Sequence, residues 1–130
     1  MKSKQGSKKK KVLILFYGGT IAMSRKGNSP LAPSVTPKEL LALFPEIHEI
    51  ANFDCELIVN IDSTNMDPSI WTKLAKAIQK NYKKYDGFVV THGTDTMAYT
   101  ASAISFAIQG LSKPIVFTGA QKPPTDPGSD

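Results

Sequence analysis

Four short apolar segments, separated by stretches with helical character, constrain the fold of this 130-residue chain more than any other feature. They cover residues 12–17, 56–61, 87–91 and 114–118. Continuous apolar runs of this length are typical of strands that are buried on both faces of a parallel sheet. Their alternation with helices predicts an α/β protein: an open parallel sheet of about four strands with flanking helices, in a flavodoxin-like or Rossmann-like three-layer arrangement with right-handed crossovers.

Capping signals mark the helices between these strands. Residues 36–44 begin with Thr-Pro-Lys-Glu, a capping box with proline at the first helical position. Asp67 and Pro68 open a second helix, in which apolar residues recur at steps of three and four. A third helix is predicted over residues 95–109, with Gly110 in the left-handed conformation that commonly ends a helix.

The charge distribution predicts one domain behind a basic tail. Of the 16 lysines and arginines, those at positions 2, 4, 8, 9, 10 and 11 precede the first strand, so the rest of the chain is close to neutral. We therefore expect residues 1–11 to be a disordered tail and residues 12–130 to form the α/β domain. No specific nucleic-acid partner is expected, although such a tail could attract RNA or anionic lipid weakly. Residues 20–35 lack periodicity and predict a mobile loop.

Cysteine, histidine and hydropathy patterns narrow the class of protein. Cys55 is the single cysteine, which indicates a small buried side chain rather than a nucleophile, and a reducing, cytoplasmic location. No segment approaches the roughly 20 apolar residues of a membrane span, and residues 12–16 are too short for a signal peptide. His48 and His92 have no Glu or Cys at ligand spacing, so neither a metal nor a cofactor is expected.

Glycine and polar residues follow every one of the four strands. They occupy positions 18–20, 62–64, 92–95 and 119–121. In an open parallel sheet the carboxyl ends of the strands line one edge, where ligands bind. Backbone N–H groups at the glycines could hold an anion there, and Asp95 supplies the opposite charge. The pattern therefore predicts a site for a zwitterion, for example an amino acid.

Two interpretations of the threonines at this edge stay open on spacing alone. Thr20 and Thr94 are candidate nucleophiles, although a hydroxyl needs a neighbouring base or lysine to become reactive. Thr94 and Asp95 could equally well cap the third helix. His92 is interpreted as a structural hydrogen-bonding residue rather than a base.

Four segments of the chain resemble the successive motifs of the bacterial-type L-asparaginases, especially the cytoplasmic type I branch. They are YGGTIAM at 17–23, NIDSTNM at 60–66, VTHGTDTMAYTASAISF at 90–106 and FTGAQKP at 117–123. The resemblance runs from about residue 11 to the last residue and implies the amino-terminal part of an asparaginase. It implies hydrolysis of L-asparagine, with L-glutamine as an alternative substrate, to the acid and ammonia, and a homo-oligomeric full-length form.

The resemblance also implies which residues carry out the catalysis. Thr20 stands at the position of the family's nucleophilic threonine in the GGT motif. Thr94 and Asp95 stand at the second catalytic threonine and its aspartate, and Asp95 would also receive the α-ammonium group of the substrate.

Substrate-binding positions are implied in the same way. Ser63 matches the serine that binds the α-carboxylate of the substrate, and Thr64 matches the neighbouring binding position. Gly19, Gly93 and Ala120 complete the implied binding set, the last two through backbone contacts.

Two departures from the family pattern bear on activity. Asn28 stands where family members usually carry a loop tyrosine, and the catalytic lysine of the family lies downstream of the Gly-Ser-Asp at 128–130. We therefore expect residues 1–130 to be a fragment that lacks this lysine and the carboxy-terminal domain, with little or no activity alone.

Two other functions are compatible with the same motifs. The asparaginase-like subunit of archaeal glutamyl-tRNA amidotransferase also carries a motif like GTDTMAYTA at 93–101, but it has a further domain before its GGT motif, whereas only a short lysine-rich tail precedes Gly18 here, which disfavours this function. A non-catalytic remnant, or an interaction module that pairs through the alanine-rich third helix, is the alternative from a different class. The open reading frame beyond residue 130 would discriminate between an enzyme and a remnant.

Overall fold

A computed structural model describes residues 8–24, 32–33, 36–124 and 126–128. The first seven residues of the predicted tail and Asn28, with the rest of 25–31, lie outside the described residues. Within the described part, Lys11 already belongs to the first strand.

Six strands and four helices follow one another along the described chain. The strands are β1 Lys11–Gly18, β2 Met23–Ser24, β3 Ala32–Pro33, β4 Asn52–Ile61, β5 Gly87–Thr91 and β6 Ile115–Thr118. The helices are α1 Pro37–Ala42, α2 Ile47–Ile50, α3 Pro68–Asn81 and α4 Met97–Ala107. Short 3-10 turns cover Thr20–Ala22 and Ser63–Asn65, directly after β1 and β4.

The main sheet contains four strands in the order β4-β1-β5-β6, all parallel. The predicted α/β fold is thereby confirmed. Ile14 of the central strand β1 pairs with Cys55 of β4 on one side and Val89 of β5 on the other. The chain first adds β4 beside β1 and then adds β5 and β6 on the opposite side, so the change of direction lies between β1 and β5. Ligands of open α/β sheets bind at the carboxyl ends of the strands at such a point.

Alternate residues of β1 pack against two different layers of helix. Leu13, Leu15 and Tyr17 face α3 and α4, where Leu74 and Ile104 are almost fully buried. On the opposite face of the sheet, Phe16 packs with Ala22 and with Leu40 of α1. Truncation of a residue such as Leu74 to alanine would cost about 2–5 kcal/mol, because the close-packed layers relax only partly around the cavity.

The helix starts follow the predicted capping signals. Thr36 Oγ1 accepts a hydrogen bond from the Glu39 N–H at 3.2 Å, and Glu39 Oε2 accepts one from the Thr36 N–H at 2.8 Å. The Asp67 carboxylate accepts from the Ser69 N–H at 2.8 Å at the start of α3. Both interactions satisfy N–H groups that lack a partner within the first turn of a helix.

Several predicted bounds differ from the structure. Strand β4 begins at Asn52 rather than at residue 56, and its exposed and partly buried residues largely alternate because it is an edge strand. Helix α4 is shorter than the predicted 95–109, and Ile108 after it is extended. Gly110 does adopt a positive φ of 70°, but it lies beyond the cap of the helix.

Two short features were not predicted at all. Strands β2 and β3 form an antiparallel pair within the segment that was predicted to be a loop. Helix α2 has only four residues, too few to show a helical period.

Candidate active site at the carboxyl edge of the sheet

Hydrogen bonds join the segments that follow the four parallel strands. They run from the Gly19 N–H to the Ile61 carbonyl (3.3 Å), from the His92 N–H to the Thr118 carbonyl (2.9 Å) and from the Thr96 hydroxyl to the Ser63 carbonyl (2.9 Å). The edge of the sheet is therefore a connected structure rather than a set of independent loops. We refer to residues 18–20, 62–64, 92–95 and 119–120 together as the rim.

Glycines allow the rim segments to approach one another closely. Gly19 has φ 83° and ψ 179°, a conformation that is essentially restricted to glycine, and a methyl group there would lie 2.5 Å from the Gly93 nitrogen. A methyl group on Gly93 would lie 2.5 Å from Ser63 Oγ. A methyl group on Gly119 would lie 3.4 Å from Thr94 Cγ2. The segments after β1, β4, β5 and β6 thus meet along one edge, as the sequence predicts.

The three candidate catalytic side chains are accessible to solvent and have no hydrogen-bond partner among the described residues. Thr20 follows Gly19 and opens the 3-10 turn, and both Thr20 and Thr94 are half-buried, whereas Asp95 is exposed. None of these side chains makes a hydrogen bond to the part of the chain that the structure describes. The N-cap of α4 is Thr96, so the interpretation of Thr94 and Asp95 as helix caps is wrong.

The residues after β4 differ in what they can offer a ligand. Ser63 is 3% exposed, and its hydroxyl makes no hydrogen bond to the described residues. The N–H and the hydroxyl of Thr64 both donate to Asp62 Oδ1, at 2.9 and 2.8 Å. These two bonds lower the pKa of the Asp62 carboxyl. Ser63 is therefore free to donate, while Thr64 retains only the acceptor capacity of its hydroxyl.

The backbone of the rim supplies further polar groups. Gly19, Gly93 and Ala120 are all buried and carry no polar side chain, so the only polar groups they have are those of the main chain. The Thr94 N–H donates no hydrogen bond within the described residues. Unpaired N–H groups of this kind can bind a carboxylate or an oxyanion.

The side chain of His92, at the first rim position after β5, is completely buried in a hydrogen-bonded network. Its Nδ1 lies 2.8 Å from the Gly93 carbonyl oxygen, and its Nε2 lies 2.9 Å from Thr100 Oγ1. Trp71 Nε1 donates to the same Thr100 oxygen at 2.9 Å, and the imidazole ring stacks on Tyr17 with centroids 5.2 Å apart. Burial lowers the pKa of His92, and the Gly93 carbonyl offsets this in part.

This network confirms the interpretation of His92 as a structural residue, but its partners were not predicted. Thr100 and Trp71 lie on α4 and α3, and their spacing fits the apolar faces of those helices. The one available signal is that Thr100 is a polar side chain at a fully buried helical position.

Cys55 lies apart from the candidate rim chemistry, in the edge strand β4. Burial, with a smaller contribution from Asp54, raises the pKa of the Cys55 thiol to about 11. A protonated thiol is a poor nucleophile, in agreement with the interpretation from the sequence, although Cys55 is half-buried rather than fully buried as predicted.

Among the described residues, no group of three His, Cys, Asp or Glu side chains is placed to hold a metal ion. No helix in the described ranges is long and apolar enough to cross a membrane.

Known proteins of similar sequence and structure were found. Residues 11–130 match the family model described as asparaginase, N-terminal. The chain is 43% identical over 125 residues to L-asparaginase 1 of Escherichia coli K12, and 40% identical over 124 residues to one of the subunits of the glutamyl-tRNA(Gln) amidotransferase of Saccharolobus solfataricus. Each match covers 94% of this chain, but only 37% of the former relative and 28% of the latter.

The fold agrees with these matches. The crystal structure of L-asparaginase I from Vibrio cholerae superposes with a TM-score of 0.84 at 43% identity, covering 94% of this chain and 37% of that one. The chain belongs to the asparaginase family, and matches the amino-terminal domain of that family.

Proposed function

We propose that the rim binds L-asparagine and that this chain provides the substrate cradle and the catalytic threonines of an L-asparaginase. Ser63 and the free N–H groups of the rim would bind the α-carboxylate, and Asp95 the α-ammonium group. These assignments rest on the family relationship and on the geometry of the rim. The observation that carries the proposal is the close contact of Gly19, Gly93 and Ser63. It places the Ser63 hydroxyl, which has no hydrogen-bond partner among the described residues, beside the glycine that precedes Thr94.

The proposed reaction has two halves. Thr20 Oγ1 forms a bond to the side-chain amide carbon of asparagine, the carbon–nitrogen bond breaks, and the leaving nitrogen takes up the proton that the Thr20 hydroxyl gives up and departs as ammonia. Water then attacks the resulting ester, which releases L-aspartate and restores the threonine hydroxyl. Thr94 acts as the second catalytic threonine, and Asp95 holds the amino group of the substrate. The resemblance assigns the activation of Thr94 to a lysine downstream of residue 130.

Ammonia release from L-asparagine tests this assignment. The full-length polypeptide that the gene encodes and the isolated residues 1–130 are assayed separately, because the first tests the function and the second tests the expected need for the downstream lysine. Replacement of Thr20 or Thr94 by alanine is expected to lower kcat by at least about 1,000-fold. The control is Thr72→Ala, since Thr72 is exposed on α3, away from the rim. Full activity of either rim variant would exclude that threonine from catalysis.

The similarity to an amidotransferase component supports a second candidate function. Its 40% identity over 124 residues is close to that of the asparaginase relative. In that case ammonia would come from an amide substrate in a reaction that depends on glutamyl-tRNA. Rapid turnover of free L-asparagine without tRNA favours the first proposal, whereas turnover that requires glutamyl-tRNA and a partner protein favours the second.

The cellular setting is part of the same proposal. We propose a cytoplasmic location, because the single cysteine of residues 1–130 is a free thiol, as is usual in a reducing compartment. The full-length form is proposed to be a homo-oligomer, which sedimentation equilibrium of the purified protein would test.

A further inference from the structure

A line of three hydrogen bonds runs from the surface of α3 to the backbone of the rim. Trp71, half-buried on α3, reaches Thr100 on α4, and Thr100 reaches His92 at the end of β5. His92 in turn reaches the carbonyl oxygen of Gly93. Thr100 and His92 are both 0% exposed, so water does not compete for these bonds.

The direction of each bond follows from the chemistry of the end groups. An indole N–H can only donate, so the Thr100 oxygen accepts from Trp71. A carbonyl oxygen can only accept, so His92 Nδ1 carries the proton that it donates to Gly93. In the neutral imidazole Nε2 is then an acceptor, and the Thr100 hydroxyl donates to it. With a neutral imidazole, one arrangement of protons satisfies all three bonds of the line.

This arrangement fixes a peptide group at the rim. The Gly93 carbonyl and the Thr94 N–H belong to one planar trans peptide, so they point in opposite directions. Because His92 holds the carbonyl on the buried side, the Thr94 N–H is held pointing away from the imidazole. The ring cannot easily rotate, since Tyr17 stacks on it and Phe117 lies with its centroid 6.4 Å away.

We propose that Thr100, which supports the Nδ1-protonated tautomer of His92 by donating to Nε2, is a positioning residue that orients the Gly93–Thr94 peptide group and with it the Thr94 hydroxyl and N–H toward the substrate. The inference rests on the proposed function for its effect on catalysis. The orientation itself does not depend on that function. Trp71 completes the line by donating to the Thr100 oxygen, while the Thr100 hydroxyl proton is donated to His92.

The central experiment compares two substitutions at Thr100. Thr100→Val keeps the shape but removes the hydroxyl, whereas Thr100→Ser keeps the hydroxyl and removes only a methyl group. In the full-length polypeptide, Thr100→Val is expected to lower kcat for L-asparagine by about 10- to 100-fold, the effect of a displaced catalytic group. Thr100→Ser is expected to stay within about threefold of the unmodified protein, because the positioning bond is retained. Equal losses in both variants would overturn the proposal.

Nuclear magnetic resonance provides a readout that does not depend on activity. Nitrogen shifts of the imidazole are expected to show the proton on Nδ1 of His92, with this preference weakened in Thr100→Val, where Nε2 has no donor, and unchanged in Thr100→Ser. The Thr94 amide resonance should move in the valine variant and not in the serine variant. A proton on Nε2 in the unmodified protein, or a Thr94 resonance that ignores the loss of the hydroxyl, would overturn the inference even if the protein proves inactive on asparagine.

A second pair of variants serves if Thr100→Val does not fold. In His92→Asn, the side-chain amide nitrogen of the introduced residue can take the place of Nδ1 and donate to the Gly93 carbonyl. The longer side chain in His92→Gln takes the place of Nε2 and reaches Thr100 instead. His92→Asn is expected to retain more activity and a less perturbed Thr94 resonance than His92→Gln, and the reverse order would contradict the proposed role of the Gly93 bond.

Discussion

Replacement of Gly19 by alanine tests whether the rim depends on close contact between the segments after β1 and β5. The backbone at Gly19, with φ 83° and ψ 179°, costs any other residue about 1–3 kcal/mol. The added methyl group would also lie 2.5 Å from the Gly93 nitrogen and 2.6 Å from its Cα, so the backbone must move. Overpacking of this kind costs a further ~1–3 kcal/mol. The total loss expected in Gly19→Ala is about 2–6 kcal/mol.

Gly110→Ala provides the matched control for this prediction. Gly110 also has a positive φ, of 70°, but a methyl group there would meet no atom within 4 Å. Its substitution should therefore cost only the left-handed backbone term, about 1–2 kcal/mol. The difference between the two variants therefore contains the contact with Gly93 and the stricter backbone requirement at Gly19.

Urea unfolding followed by the fluorescence of Trp71, the single tryptophan, measures both variants. With a slope of about 1.5 kcal/mol per molar urea, Gly19→Ala should lower the midpoint by roughly 1–4 M. The reasoning is refuted if Gly19→Ala is no more destabilising than Gly110→Ala, since the segments would then not be in contact.

Two further predictions concern the buried polar side chains of His92 and Tyr17. Burial lowers the pKa of His92 in the folded state, so the unfolded chain takes up the proton first as the pH falls. The free energy of unfolding should therefore be highest above pH 6.5. Below pH 6.5 it should decrease by up to about 1.4 kcal/mol per pH unit. Urea midpoints measured between pH 5 and 7 should depend less on pH in His92→Asn than in the unmodified protein, and equally in the control His48→Asn, whose site is exposed. Equal pH dependence in the two variants would contradict the prediction. The Tyr17 hydroxyl donates to the Ile70 carbonyl at 2.5 Å, so Tyr17→Phe should cost about 0.5–1.5 kcal/mol. Tyr99→Phe, at a residue 67% exposed, should have no measurable effect on the same urea curve, and a Tyr17→Phe curve that matches it would argue against the hydrogen bond.

The parts of the fold that could be predicted are those whose burial leaves a regular pattern in the sequence. Strand β5 has the predicted bounds of residues 87–91, because it is an interior strand and reads as one apolar run. The first half of β4 was missed because exposed Asn52 and Asp54 interrupt its apolar residues at the sheet edge. The pair of β2 and β3 has only two residues in each strand, so its formation depends on tertiary contacts rather than on local preference.

The candidate site divides in a similar way. The convergence of the strand ends was predictable, since it follows from the parallel topology alone. The commitment of the Thr64 hydroxyl to Asp62 was not, because several rotamers of a threonine are compatible with the same backbone. The partners of His92 were beyond sequence reasoning as well: Thr100 and Trp71 meet only because of how α3 and α4 are rotated about their own axes.

The central position of β1 has a consequence for the order of events during synthesis. This strand leaves the ribosome before either of its neighbours, which are formed by residues 52–61 and 87–91. At translation rates of about 5–20 residues per second, the apolar side chains of β1 wait several seconds for the second neighbour. Non-local pairing of this kind slows folding. The nascent chain thus exposes the apolar strand β1 directly after its cluster of lysines. Repulsion between the lysine clusters of two nascent chains disfavours their association through β1.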